Sequence, residues 1–174
     1  MANTHGGGAL TTAHGLKFEQ DTRLADAFIK NGDTITKKNE VVRNGVVIGM
    51  LAPKGKLYSK FLEPRGVDWT RRISRKMLPD EVFINHDAKI VFIIEKKFQK
   101  QTGSVDEKLQ TCEFKKQQYT KLIKPTGYTV EYLYVCNDFF KNPVYRDMMA
   151  YIEKKKCHIF FNEVPLTFLF PDKK

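Results

Sequence analysis

Two runs of β-branched and aromatic residues, Glu81-Val82-Phe83-Ile84-Asn85-His86 and Lys89-Ile90-Val91-Phe92-Ile93-Ile94, flank a turn at Asp87-Ala88. Residues of these types suit a pleated, partly buried surface, and the short polar break predicts an antiparallel hairpin. A hairpin brings the chain back to the end where it began. Asp80, which follows Pro79, is therefore expected beside Glu95 in the motif Glu95-Lys96-Lys97. Side chains alternate across a strand, so Glu95, Lys97 and Gln99 should share one face while Ile94, Lys96 and Phe98 share the other.

Two carboxylates and a lysine are thus predicted to converge at one end of the hairpin. Such a set can hold a hard divalent cation and position a water against a phosphodiester. Asp80 and Glu95 are the candidate metal ligands, helped by a backbone carbonyl. Lys97 is the candidate for orienting the water, stabilising developing charge or, if desolvated, accepting a proton. The plainer alternatives are a turn residue after proline for Asp80 and an exposed strand face for Glu95 and Lys97.

The rest of the chain is compatible with that chemistry. A length of 174 residues fits one domain with a real core, and 41% hydrophobic content marks a folding sequence. The net charge of +10 points to a polyanionic partner, nucleic acid first, because the basic residues lie within predicted folded segments. No run is apolar enough to span a membrane and no signal-peptide core opens the chain, so a cytoplasmic location is expected. Cys112, Cys136 and Cys157 match neither a zinc spacing nor a disulfide framework and are read as buried free thiols. His86 ends the first hairpin strand, near the predicted site.

Residues 1–14, rich in Gly, Thr and Ala, read as a flexible lead-in to a single domain over 15–174. A helix is predicted from Gly15 to Asn31, with Leu16, Leu24, Phe28 and Ile29 as its apolar arc. Val41-Val42-Arg43 and Val46-Val47-Ile48 flank Asn44-Gly45, a strong hairpin signal. Residues 53–78 are irregular and basic. Among them Arg65, Arg71, Arg72, Arg75 and Lys76 are candidate contacts to a DNA backbone or to guanine edges, and Trp69 is assigned to the core.

Ser104, followed three residues later by Glu107, marks the start of a further helix. Its stripe is Val105, Leu109, Cys112, Tyr119 and Ile123, leaving Lys108, Lys115 and Lys121 off it, and Pro125 ends it. The amides beyond Ser104, with Lys108 one turn on, could also receive a phosphate. A strand over 128–135, a helix over 143–155 and a strand over 158–161 complete the reading. The fold class is α/β: a central mixed β-sheet flanked by helices.

Three segments resemble the PD-(D/E)xK nuclease superfamily, in particular small type II restriction endonucleases. They are Gly15-Leu16-Lys17-Phe18-Glu19, Pro79-Asp80 with Glu95-Lys96-Lys97-Phe98-Gln99, and Gly103-Ser104-Val105-Asp106-Glu107-Lys108-Leu109-Gln110-Thr111. The resemblance implies a restriction-endonuclease-like fold and Mg²⁺ as cofactor, with Mn²⁺ able to substitute. It implies double-stranded DNA as substrate, a homodimer cutting a short specific site, and a companion DNA methyltransferase acting on that site. It makes Glu19 a further acidic catalytic residue, a role on which helical periodicity is neutral. Gln99, read on the face of Lys97, is a candidate contact to the phosphate or a metal-bound water, with polar surface as the plainer alternative. Competing readings are a structure-specific or repair nuclease, an RNase, a non-catalytic basic DNA-binding protein, and a histidine-metal nuclease using His86.

Overall fold

The predicted hairpin lies in the middle of the sheet. In the computed structural model, which describes residues 7–101 and 105–171, strand β4 (Glu81–Asn85) pairs antiparallel with β5 (Ile90–Lys97), from Glu81↔Ile94 to Asn85↔Ile90. Before it come β1 (Thr34–Ile35), β2 (Glu40–Arg43) and β3 (Val46–Leu51), all joined antiparallel. After it come β6 (Thr129–Cys136), parallel to β5, and β7 (His158–Phe161), parallel to β6. The sheet is therefore mixed, with its seven strands in sequence order. Asn44 and Gly45 close the β2–β3 turn with φ of 50° and 79°, the left-handed pair that a two-residue hairpin loop needs.

Alternation along the central strands divides the core in two. Val82, Ile84, Val91, Ile93, Tyr132 and Tyr134 pack on one face of the sheet against Leu57, Tyr58, Cys112, Tyr119 and Leu122. Phe83, Phe92, Ile94, Leu133 and Val135 pack on the other against Phe18, Leu24 and Phe28. Helices α1 (Gly7–Asp21) and α2 (Leu24–Lys30) cover the second face. The first face is covered by a buried π-helical turn, Leu57–Leu62, and by helix α4 (Cys112–Ile123), which links β5 to β6. Short helix α3 (Val105–Leu109) precedes α4, and α5 (Arg146–Lys154) leads into β7. Trp69 sits at the edge of the first core, edge-on to Tyr58.

Several boundaries differ from the sequence reading. Helix α1 starts at Gly7, inside the expected lead-in, because Ala9, Leu10 and Ala13 favour helix over the neighbouring Gly and Thr. The single helix expected over 15–31 is broken at Thr22-Arg23. There the Thr22 hydroxyl turns back onto the Phe18 carbonyl at 2.6 Å, while the Glu81 carboxylate accepts the Leu24 N–H at 3.0 Å. Leu16 and Ile29, expected to be buried, are exposed, and Phe18 takes the core position instead. The helix expected after Ser104 is likewise two, interrupted at Gln110-Thr111, where the Thr111 hydroxyl bonds the Lys108 carbonyl at 2.7 Å. The three cysteines are free and buried, as expected, and the Cys157 thiol donates to the Lys155 carbonyl at 3.7 Å.

Candidate active site

Asp80, Glu95 and Lys97 meet at the end of the sheet where β4 begins and β5 ends. Four hydrogen bonds place Asp80. The Tyr58 hydroxyl donates to the Met77 carbonyl at 2.7 Å and accepts the Met77 N–H at 2.9 Å. The Pro79 carbonyl accepts Lys54 N–H at 2.9 Å, and Asp80 Oδ2 itself accepts Lys96 N–H at 2.8 Å. Glu95 and Lys97 are fixed by the parallel register, opposite Tyr134 and Cys136 of β6.

The alternation predicted for β5 is observed. On one face the Lys97 ammonium lies 3.1 Å from Glu95 Oε2, 2.9 Å from the Lys96 carbonyl and 3.8 Å from Asp80 Oδ2. On the other face the Lys96 ammonium is sealed in, bonding the Glu19 carbonyl at 2.8 Å and pairing with Glu81 at 3.3 Å. Burial pushes the Glu81 carboxyl above its ordinary range despite the Lys96 charge beside it. Lys96 and Glu81 therefore lock α1 and α2 to the sheet, on the face away from Lys97.

Sequence reasoning missed one member of the site. Lys115 extends from α4 to within 3.2 Å of Glu95 Oε2, the oxygen that Lys97 also contacts. The signal was in the spacing. Positions 112, 115, 119 and 122 lie on one face of a helix, and Cys112, Tyr119 and Leu122 are buried, so Lys115 breaks an apolar stripe from within. Two carboxylates and two ammonium groups make the cluster neutral. All four side chains are largely shielded, with exposures from 11% for Glu95 to 26% for Lys115.

The donor set suits a small divalent cation. Among the described residues Asp80 Oδ1 and Glu95 Oε1 make no hydrogen bond, so each carboxylate keeps one oxygen for a ligand. Beneath them, the hydroxyls of Tyr119 and Tyr132 are buried without a hydrogen-bond partner among the described residues. Burial holds the Tyr119 phenol far above its ordinary range, and the Glu95 charge reinforces the shift. Unsatisfied buried hydroxyls beside a charged cluster mark a place where water or a ligand belongs. Among the described residues no group of three or more His, Cys, Asp or Glu is arranged around a common point, so a metal here would rest on two carboxylates, a carbonyl and water.

The other predicted site residues occupy several parts of the fold. Glu19 lies on α1, where its carbonyl accepts from the Lys96 ammonium at 2.8 Å, on the face of β5 away from Lys97. Gln99 is buried rather than surface-facing. Asn137 clamps its backbone on both sides at 3.0 and 2.8 Å, while its side-chain amide has no partner. His86 sits at the opposite end of the hairpin and bonds the Tyr128 hydroxyl at 3.1 Å, which removes it from the site. Arg65 is also remote from Asp80, stacked on Phe61 and bonded to the Phe61 carbonyl beside Tyr128. Arg71, Arg72 and Arg75 are exposed, and Lys76 is exposed over the Tyr58 ring. Lys108 is exposed on α3; the role expected of Ser104 lies outside the described residues. No helix of the described residues is long and apolar enough to cross a membrane.

Compared with known protein families, curated proteins and solved structures, the chain matches none.

Proposed function

We propose that this chain is a Mg²⁺-dependent endonuclease hydrolysing phosphodiester bonds in double-stranded DNA at a short specific site. In this reading it is a homodimer with the restriction-endonuclease-like fold of the PD-(D/E)xK superfamily it resembles. One observation carries the proposal. The Lys97 ammonium is held among oxygens of Glu95, Lys96 and Asp80, a cation surrounded by the donors a divalent metal would use.

Asp80, Glu95 and the Lys96 carbonyl would hold Mg²⁺, or Mn²⁺ in its place. When bound, the metal supplies charge neutralisation at the phosphate and a more acidic water. Lys115 fixes Glu95 by holding Oε2, so the other carboxylate oxygen keeps one orientation. The backbone N–H of Lys96 does the same for Asp80. Lys97, tethered beside both, is placed to orient the attacking water or to stabilise charge on the phosphoryl oxygens. The surplus of ten positive charges draws the polyanion to the surface.

The test is incubation of the purified protein with plasmid or phage DNA, in Mg²⁺ or in EDTA, beside Lys97→Ala. Discrete fragments that need both Mg²⁺ and Lys97, with DNA binding retained in the variant, are expected. A metal-dependent smear or nicked circles would shift the substrate to a structure-specific or nonspecific one. Full activity in Lys97→Ala, or no cleavage by the wild type, would overturn the assignment.

A further inference from the structure

A cleft of about 540 Å³ is lined by Arg71, Arg72, Lys121, Lys124 and Pro125. Its walls come from two segments some fifty residues apart in sequence, the turn after Trp69 and the end of α4. Arg71 has one ion pair, to Asp68 at 3.2 Å, with its side chain 85% exposed. Among the described residues, the side chains of Arg72, Lys121 and Lys124 make no ion pair or hydrogen bond. Folding thus brings four cations to one concavity with a single carboxylate to offset them, and like charges so gathered repel unless an anion lies between. Each of the four residues is exposed, so the cleft suits successive phosphates of a chain better than one small anion.

Its position relative to the catalytic cluster sets which phosphates. Helix α4 carries both Lys115, which touches Glu95, and Lys121. At 1.5 Å per residue, Lys121 and Lys124 lie about 9 and 13 Å further along the axis. A DNA strand rises about 3.4 Å per nucleotide, so for a strand that follows α4 that separation corresponds to roughly three to four nucleotides. Arg75 and Lys76 are exposed on the segment leading from the cleft to Asp80, so the path between is also basic.

We infer that this cleft holds the phosphates of the cleaved strand about three to four nucleotides from the scissile bond, on one side of it. The inference rests on the nuclease reading and specifies how that nuclease would hold its substrate. The experiment uses two double variants, R71A/R72A and K121A/K124A, whose exposed side chains can be removed without opening the core. Each is compared with wild type on a 30-base-pair duplex centred on the mapped cut. The same comparison is made on duplexes ending two nucleotides beyond the cut on either side. On the long duplex each variant should bind about tenfold or more weakly at 0.1 M salt. Its log–log salt slope should shrink by about 1.8, the value for two lost phosphate contacts. On one of the two shortened duplexes, wild type and variants should bind alike and cut at equal rates at saturation. Equal losses on long and both short duplexes, or no loss on any, would overturn the cleft assignment while leaving the nuclease intact. Failure of the wild type to bind or cut any duplex would overturn the nuclease reading and this inference together.

Discussion

Lys96 and Lys97 are neighbours in sequence, and the side of β5 from which each emerges decides what its charge does. Lys96 is committed to Glu81 and the Glu19 carbonyl, whereas Lys97 lies among three oxygens that a metal would need. In the proposed enzyme Lys97 therefore competes with the metal for Glu95 and Asp80. Lys97→Ala should abolish cleavage yet bind Mn²⁺ more tightly than wild type in the absence of DNA. The gain expected from removing one adjacent cation is on the order of 1 kcal/mol, roughly fivefold. Calorimetric titration measures it, and an affinity equal to or below that of wild type would argue against these carboxylates as metal ligands. Lys115 shows what periodicity alone obscures. The stripe drawn from the sequence leaves Lys115 off it, whereas the structure turns Lys115 inward because the strand beneath presents Glu95.

At the scale of elements, strands were more legible than helix boundaries. The Asn44-Gly45 turn and the β4–β5 hairpin follow from local chemistry: left-handed turn residues between β-branched runs. The break between α1 and α2 does not, because the carboxylate that accepts the Leu24 N–H belongs to Glu81, fifty-seven residues away. Gly49 on β3 is another position with a distant cause. A Cβ there would stand 2.5 Å from the Phe83 ring and 2.6 Å from the Ile84 carbonyl oxygen, part of it rigid backbone. Gly49→Ala should destabilise the fold by about 1–3 kcal/mol through overpacking, seen as a lower midpoint in denaturant. Stability equal to that of wild type would mean that β3 and β4 can separate without loss.

For the molecule as a whole, two carboxylates give its stability opposite dependences on pH. Asp33 is buried and bridged by Arg43 at 2.7 and 2.8 Å, and that hydrogen-bonded guanidinium holds its carboxyl below the ordinary 3.8. Its contribution is full above pH 3.8 and is lost as pH falls through the lowered value. Glu81 is the reverse. Burial raises its carboxyl above 4.5, so its contribution is full below 4.5 and is lost as pH rises through the raised value. Denaturant unfolding across pH 3 to 7 should show Asp33→Asn losing about 1.5–3 kcal/mol at neutral pH and having a flatter acid limb. Glu81→Gln should flatten the limb above pH 4.5. If both variants kept the wild-type profile, neither group would be linked to folding.

The sequence by itself determined the mixed α/β class, the two hairpins, the alternation along β5 and the meeting of Asp80, Glu95 and Lys97. The hairpins, the alternation and that meeting depend on interactions within one strand or across one short turn, and the class on the order of helical and strand patterns along the chain. Tertiary structure decided that Lys115 joins that cluster, that Glu19 offers a carbonyl to Lys96, that His86 and Arg65 stand away from the site, and that Arg71 and Arg72 face Lys121 and Lys124. Those relations depend on how helices lie across the sheet, and that packing is set by the volumes and burial of the whole core, which no local pattern records.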